Sequence, residues 1–280
     1  MDPTTWLSRF VEKVGVVELD GPRKITRLPD GRTNLIFRVH DGAHSGDLTV
    51  SGPRTRALFK TAHGVARSIT IELKPGWSTQ VLGVSAHTLT DRIVHLHDIW
   101  GRAGAELCTE LLAARSVPDV LDRLSRAIAL RTEQTVESAS ARLARRAVRM
   151  LENEEVRVDS VAKRLGVTPR HLRRLFTESV GIGPKDFARA VRLQRAVQRA
   201  ASSTDWGRIA VDAGYYDQAH LIADFRSLVG LTPGAFAKRV LAGSDDSAKV
   251  GETSSARLRR TAVSAATRRA RRSTTFRVHR

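Results

Sequence analysis

Arg170, Arg173, Arg174 and Thr177 recur at the i, i+3, i+4 and i+7 spacing that lines four side chains along one side of an α-helix. A guanidinium can bridge the O6 and N7 acceptors of guanine with two donors or hold a phosphate, so an outward row of this kind suits the major groove of double-stranded DNA. Arg170 and Arg173 are the leading base-contact candidates, Arg174 suits phosphate, and His171 suits either. The competing reading is a solvated helix face. Between these residues Leu172, Leu175, Phe176 and Val180 form an apolar stripe, so the helix has a side to bury and a side to present.

The elements that must position this row are legible on both sides of it. Asp159 is placed to cap a short helix running to Leu165, and Gly166 supplies the positive φ of a sharp turn. Thr168 is placed to cap the second helix, with Pro169 at its first position, where a missing N–H costs nothing. Gly181 and Gly183-Pro184 end that helix and start another, from Lys185 to roughly Ala200. The pattern is a helix-turn-helix, and it occurs twice. Val161-Ala162-x-x-Leu165-Gly166-Val167 recurs 48 residues later as Ile209-Ala210-x-x-Ala213-Gly214-Tyr215. Downstream the offset is 49, so Thr168, Leu172, Phe176, Gly181, Pro184 and Phe187 correspond to Asp217, Leu221, Phe225, Gly230, Pro233 and Phe236. Matched caps, turn glycines and core phenylalanines argue against a plain helical bundle carrying arginines on its wet face.

The second copy does not repeat the chemistry of the first. Arg170, Arg173 and Arg174 become Ala219, Ile222 and Ala223, a face able to touch thymine methyl groups but unable to donate to guanine. Gln218, His220 and Arg226 are its polar contact candidates, and Asp224 is expected to be repelled by phosphate. Unequal half-sites follow, with the first unit supplying most of the discrimination. Arg192, Arg195 and Arg199 on the connecting helix read as a solvated face that could also approach the DNA backbone.

On these residues the chain resembles the AraC/XylS family of bacterial transcription regulators, over about Val156 to Val240. The resemblance lies in Ala162-x-x-Leu165-Gly166-Val167-Thr168-Pro169-x-x-Leu172-x-Arg174-x-Phe176, in Gly183-Pro184-x-x-Phe187 with Val191-Arg192-Leu193-x-x-Ala196, and in Ile209 through Phe225 to Gly230-Leu231-Thr232-Pro233-x-x-Phe236. It implies a sequence-specific regulator whose two units enter successive major-groove segments on one face of a promoter or operator, about 34 Å apart. Arg27-Leu28-Pro29-Asp30-Gly31 and Leu35-Ile36-Phe37 resemble, more weakly, the small β-rich domain that precedes this module in some members. Such domains often bind an effector or mediate dimerisation.

The rest of the 280 residues fits around that module. Thr33 to His40 places Leu35, Phe37 and Val39 on one face, and Ser68 to Leu73 alternates in the same way, so the first hundred residues read as strands and turns. From about Leu89 the period becomes helical, with Val117, Val120, Leu121, Leu124 and Ile128 as one stripe that is also usable for dimerisation, and Leu143, Ala147 and Met150 as another. The expected fold is α+β: a small β-rich N-terminal domain with closing helices (1–135), an all-α double helix-turn-helix domain (136–240) and a disordered basic tail (241–280).

Net charge is +18, distributed as +6 over residues 1–149, +5 over 150–240 and +7 over the last forty. That excess implies a polyanionic partner. The tail reads either as an arm adding sequence-independent phosphate contacts or as a solvated extension. No stretch approaches the ~20 apolar residues of a spanning helix, no secretory signal opens the chain, and a single cysteine, Cys108, fits a reducing compartment, so a cytoplasmic, nucleoid-associated protein is expected. His95-x-His97, expected on one strand face, and the pair His40 and His44 lack the further ligands of a metal site. No metal, cofactor or catalytic residue is expected, and the chain does not read as an enzyme: Cys108 lacks the Pro-Cys-His-Arg setting of an alkyl-transfer acceptor. Trp77, Trp100, Phe37 and Phe59 read as N-terminal core in preference to a small-molecule pocket. Beyond DNA, this reading admits a small-molecule effector, RNA polymerase and a second copy of the chain as partners. It also leaves a different class open, a non-specific architectural DNA-binding protein driven by its basic charge.

Overall fold

The computed structural model describes residues 8–42, 45–153 and 156–241. The basic tail beyond residue 241 and His44 lie outside them. Strands come first: β1 (Val11–Glu18), β2 (Arg23–Arg27), β3 (Thr33–His40), β4 (Gly46–Ser51), β5 (Leu58–Ala62), β6 (Val65–Leu73) and β7 (Ile93–His95). Five of them form an antiparallel sheet in the order β1-β6-β3-β4-β7, and β2 pairs with β5 as a separate two-stranded ribbon. The alternation legible in β3 and β6 sets the sheet's buried face: Leu35 lies opposite Ile71 and Phe37 opposite Ile69, all four buried.

Helices α1 (Ser78–Leu82), α2 (Leu96–Trp100), α3 (Arg102–Leu112) and α4 (Val117–Glu133) close this core. The change of period expected near Leu89 is less clean than the sequence implies, because α1 precedes it and β7 follows it. His95 therefore ends a strand while His97 lies in the first turn of α2, and their rings stack at 4.9 Å rather than sharing a strand face. Ser116 caps α4 by accepting from the Asp119 N–H, with Pro118 in the first turn. Val120, Leu124 and Ile128 of α4 are buried in the same core as the sheet, so the stripe read as also usable for dimerisation is covered within the chain. Phe37 and Trp100 are core, as expected, and Trp77 packs on the rim of the same cluster.

The remainder is helical: α5 (Ala139–Asn153), α6 (Val158–Arg164), α7 (Pro169–Val180), α8 (Pro184–Ala200), α9 (Trp206–Asp212), α10 (Gln218–Val229) and α11 (Pro233–Phe236), followed by a π-helical turn from Ala237 to Leu241. It holds two separate apolar cores. One joins α5, α6, α7 and Phe187 of α8; the other joins Leu193 and Ala196 of α8 with α9, α10 and Phe236. Phe59, expected in the N-terminal core, instead packs with Leu28 and Ala57 against the second of these, under the guanidinium of Arg239 at 4.3 Å. Its position on the β2–β5 ribbon, outside the main sheet, is the reason.

The N-terminal half grips both helical cores through its loops. Gly31 touches the end of α7 and the start of α8 so closely that a Cβ there would lie 2.6 Å from the Phe187 ring and 2.7 Å from Val180. Gln194 of α8 donates to the Pro29 carbonyl at 2.8 Å, and the Ala57 N–H donates to the Leu228 carbonyl at 2.8 Å. On α5, buried Arg145 pairs with Glu137, donates to the Gly76 carbonyl and lies 3.7 Å over the Trp77 ring. Burial, followed by the neighbouring charges of Arg9 and Arg149, pulls its pKa down to about 10. Because the tight contact at Gly31 leaves no room for one methyl group, Gly31→Ala is expected to cost about 1–3 kcal/mol of stability. Urea denaturation checks this, and an unchanged midpoint would contradict the tight joint.

Candidate nucleic-acid interface

The first unit is built on a turn that needs its glycine. Gly166 has φ of 67°, and a Cβ there would meet nothing within 4 Å, so the backbone conformation rather than crowding selects glycine. The turn is sealed by the Val167 N–H donating back to the Ala162 carbonyl at 3.1 Å. Thr168 Oγ1 then accepts the His171 N–H at 3.1 Å, capping α7, and Pro169 occupies its first turn. The cap expected one helix earlier is different. Arg157, not Asp159, stands at the start of α6, and Asp159 lies within its first turn, where its charge faces the positive end of the helix dipole.

Leu172, Leu175, Phe176 and Val180 are buried, with the Phe176 and Phe187 rings edge-on at 5.4 Å. That burial fixes the rotation of α7, and Arg170, Arg173 and Arg174 accordingly point outward and are exposed. His171 and Thr177 are half-buried beside them, and Arg174 approaches His171 Nδ1 at 3.5 Å. Losing the Thr168 cap is expected to fray this presenting helix: Thr168→Ala should cost about 1 kcal/mol of stability, measured by thermal unfolding, with Thr168→Ser near neutral. Equal losses from the two changes would contradict the capping role.

The second unit repeats the scaffold. Asp205 accepts the Arg208 N–H at 3.1 Å to cap α9, Gly214 turns with φ of 85°, and Asp217 accepts the His220 N–H at 2.7 Å to cap α10. Both second helices, α7 and α10, end on left-handed glycines, Gly181 and Gly230. Gln218, Ala219, His220, Ala223 and Arg226 are exposed and Ile222 is half-buried, so the outward face of α10 mixes small apolar residues with Gln218, His220 and Arg226, as the repeat implies.

Two sequence expectations fail here. Asp224 does not face solvent or phosphate: it is 8% exposed, and Arg189 of α8 donates to it from two nitrogens at 2.9 and 3.1 Å. The side-chain hydrogen bond to Asp224 holds the Arg189 pKa above its ordinary value. Arg192 is likewise not a solvated residue, since it lies 3.8 Å from Asp224 and 5.4 Å from the centre of the Tyr215 ring. Burial, reinforced by the Asp224 charge, pushes the Tyr215 phenol up, so it stays protonated at every physiological pH. Arg195 donates to the Glu152 carbonyl, and Arg199 approaches Asp212 at 3.8 Å. Arg192 and Arg195 are thus half-buried against the protein, whereas Arg199 stays on the exposed face, as expected.

Three features of the surface lie beyond the sequence reading. Tyr216, 89% exposed, stands just before the α10 cap, at the residue inserted where the offset changes from 48 to 49; that insertion was the signal that could have found it. Arg189 gave no signal, because its partner is 35 residues away on another helix. The 3₁₀ turn Ala86–Leu89 and its flanks also reach α7 from the N-terminal half: Ser85 donates to the Glu178 carbonyl at 3.0 Å and Thr90 to the Gly181 carbonyl at 2.7 Å. Ser85 and His87 thereby line, with Arg170, Arg173, Arg174 and Thr177, an open depression of about 390 Å³. Among the described residues no group of three His, Cys, Asp or Glu side chains could hold a metal ion, and no helix is long and apolar enough to cross a membrane. Cys108 is half-buried on α3, and burial, ahead of the Asp47 charge, raises its thiol pKa.

Two capped helices, each presented by a glycine turn and joined through one helix, define a double helix-turn-helix module. Residues 161–239 match the helix-turn-helix domain family, and residues 1–95 match a domain family of unknown function, DUF6597. The HTH-type transcriptional regulator GlxA of Rhizobium meliloti (strain 1021) is 37% identical over 83 residues, which are 29% of this chain and 25% of that protein. The chain thus spans a quarter of the length of that curated relative. ToxT from Vibrio cholerae O395 is a loose structural likeness, with a TM-score of 0.40 and 9% identity over 82% of this chain and 97% of the other. The unsaturated fatty acid bound wild-type ToxT from Vibrio cholerae strain SCE256 gives 0.41 and 10% over 81% and 94%. The double helix-turn-helix module within residues 161–239 is thus similar to those of AraC/XylS regulators.

Proposed function

We propose that this protein is a DNA-binding transcription regulator that reads double-stranded promoter or operator DNA with α7 and α10 in successive major-groove segments. The observation that carries the reading is the outward row of Arg170, Arg173 and Arg174 on a helix whose opposite side is locked into a core by Phe176. In this reading α7 supplies bidentate base contacts, with Thr168, His171 and Thr177 at its edge, and α10 supplies Gln218, His220 and Arg226 around a methyl-tolerant centre. The N-terminal half regulates, because its loops hold both cores at once and its Ser85–Thr90 segment borders the reading face. A small-molecule effector, RNA polymerase and a second copy of the chain are the partners such a regulator would use.

The competing class is an architectural protein that binds through charge alone. Titrating one bound promoter fragment against random DNA at rising salt separates the two, since base contacts survive conditions that remove the counterion term. The regulator reading requires the preference for the fragment to persist as both affinities fall. A preference that vanishes with salt leaves only the architectural reading.

A further inference from the structure

The repeat places Asp224 where the first unit has Leu175, a buried core residue. A carboxylate in that position is costly unless partnered, and here α8 partners it with two guanidinium groups. Arg189 reaches Oδ1 from Nε and Nη2 and also donates to Ser227 Oγ at 3.2 Å, while Arg192 lies 3.8 Å from Oδ2 and covers the Tyr215 ring. Three of the partners, Asp224, Ser227 and Tyr215, belong to α10 and its preceding turn; the two arginines belong to α8. The same α8 seats Phe187 in the core of the first unit, against Phe176. Apolar contacts alone tolerate small rotations of one helix on another, whereas charge-assisted hydrogen bonds are directional and fix them.

We infer that Asp224, held by Arg189 and Arg192, is a positioning residue that sets the rotation and separation of α10 relative to α7, and so sets the spacing between the two DNA segments the protein accepts. The inference rests on the DNA-binding reading above. Asp224 touches no DNA in this scheme; its effect passes through the orientation of Gln218, His220 and Arg226 on the same helix. One base pair of added spacer moves a segment by about 3.4 Å along the axis, a displacement that a rigid pair of helices cannot follow and a loosened pair can.

The test uses the full chain and the DNA site it selects, with the spacer between the two segments lengthened or shortened by one base pair. The wild-type protein should lose about tenfold or more in affinity on either altered spacer, the size of a lost base contact. Asp224→Leu restores the residue type of the first unit but leaves the Arg189 and Arg192 guanidinium groups without their carboxylate, so it should fold with lowered stability, and the folded variant should bind the three spacers with nearly equal and weaker affinity. Arg189→Lys keeps the charge but loses the fork geometry, and it should flatten the spacer profile in the same direction; it also serves as the test if Asp224→Leu does not fold. A full wild-type spacer penalty retained by the folded variants overturns the positioning role while leaving the DNA reading intact. A wild-type protein that selects no two-part site overturns the DNA reading itself and the positioning role with it.

Discussion

Phe176→Ala is expected to destabilise the protein by about 3–5 kcal/mol, enough to deplete the folded state of a domain with ordinary stability. Phe176 is fully buried on α7, edge-on to Phe187 of α8, in the core that also takes Ala144, Ala147, Val148 and Leu151 from α5. Truncation leaves a cavity at the one place where the capped helix, its support and the connecting helix meet, and tight neighbours such as Gly31 limit how far the site can collapse. The loss should appear as a lower denaturant midpoint with the slope retained, and DNA affinity should fall in parallel because the arginine row loses its backing. A change below about 1 kcal/mol would mean that α7 is not held by this core.

Arg173→Ala is expected to leave stability nearly unchanged, to cost about 1–3 kcal/mol of binding free energy, and to relax one base position of the site. The side chain is exposed on the face of α7 opposite Leu172 and Phe176, with no intramolecular partner needed to hold it there. Arg226 occupies the position of Thr177 on α10, beside Ala219, Ile222 and Ala223. Arg226→Ala should therefore weaken all sequences alike and lower the salt slope by about 0.9, the signature of one lost phosphate contact. Selecting bound sequences with each variant separates the two effects. Equal losses of specificity from Arg173→Ala and Arg226→Ala would remove the asymmetry between the two units.

Much of the scaffold behind these expectations is written locally in the chain. β3 runs over Thr33–His40 as its alternation requires, and Thr168, Asp217, Gly166 and Gly214 do the capping and turning their positions announce, because caps and turns depend on a few adjacent residues. What the sequence hides is long-range pairing. Asp224 looks like an exposed acid on an amphipathic helix until α8 is folded over it. Phe59 looks like core of the strands it belongs to, yet the β2–β5 ribbon carries it to the second helical core. The stripe on α4 could have faced another molecule, and only the assembled sheet shows that it is covered. Asp159 lies only two residues after Arg157, where α6 starts without a side-chain cap.

In the proposed function two unequal helices read two segments of one DNA site. Selection of bound duplexes from a random library by the full chain tests it most directly. The expected result is a two-part sequence with centres about 34 Å apart, roughly one helical turn, and with the more sharply defined bases in the segment that loses definition when Arg173 is replaced. Enrichment of no sequence, or of one undivided segment unaffected by Arg173→Ala, would contradict it.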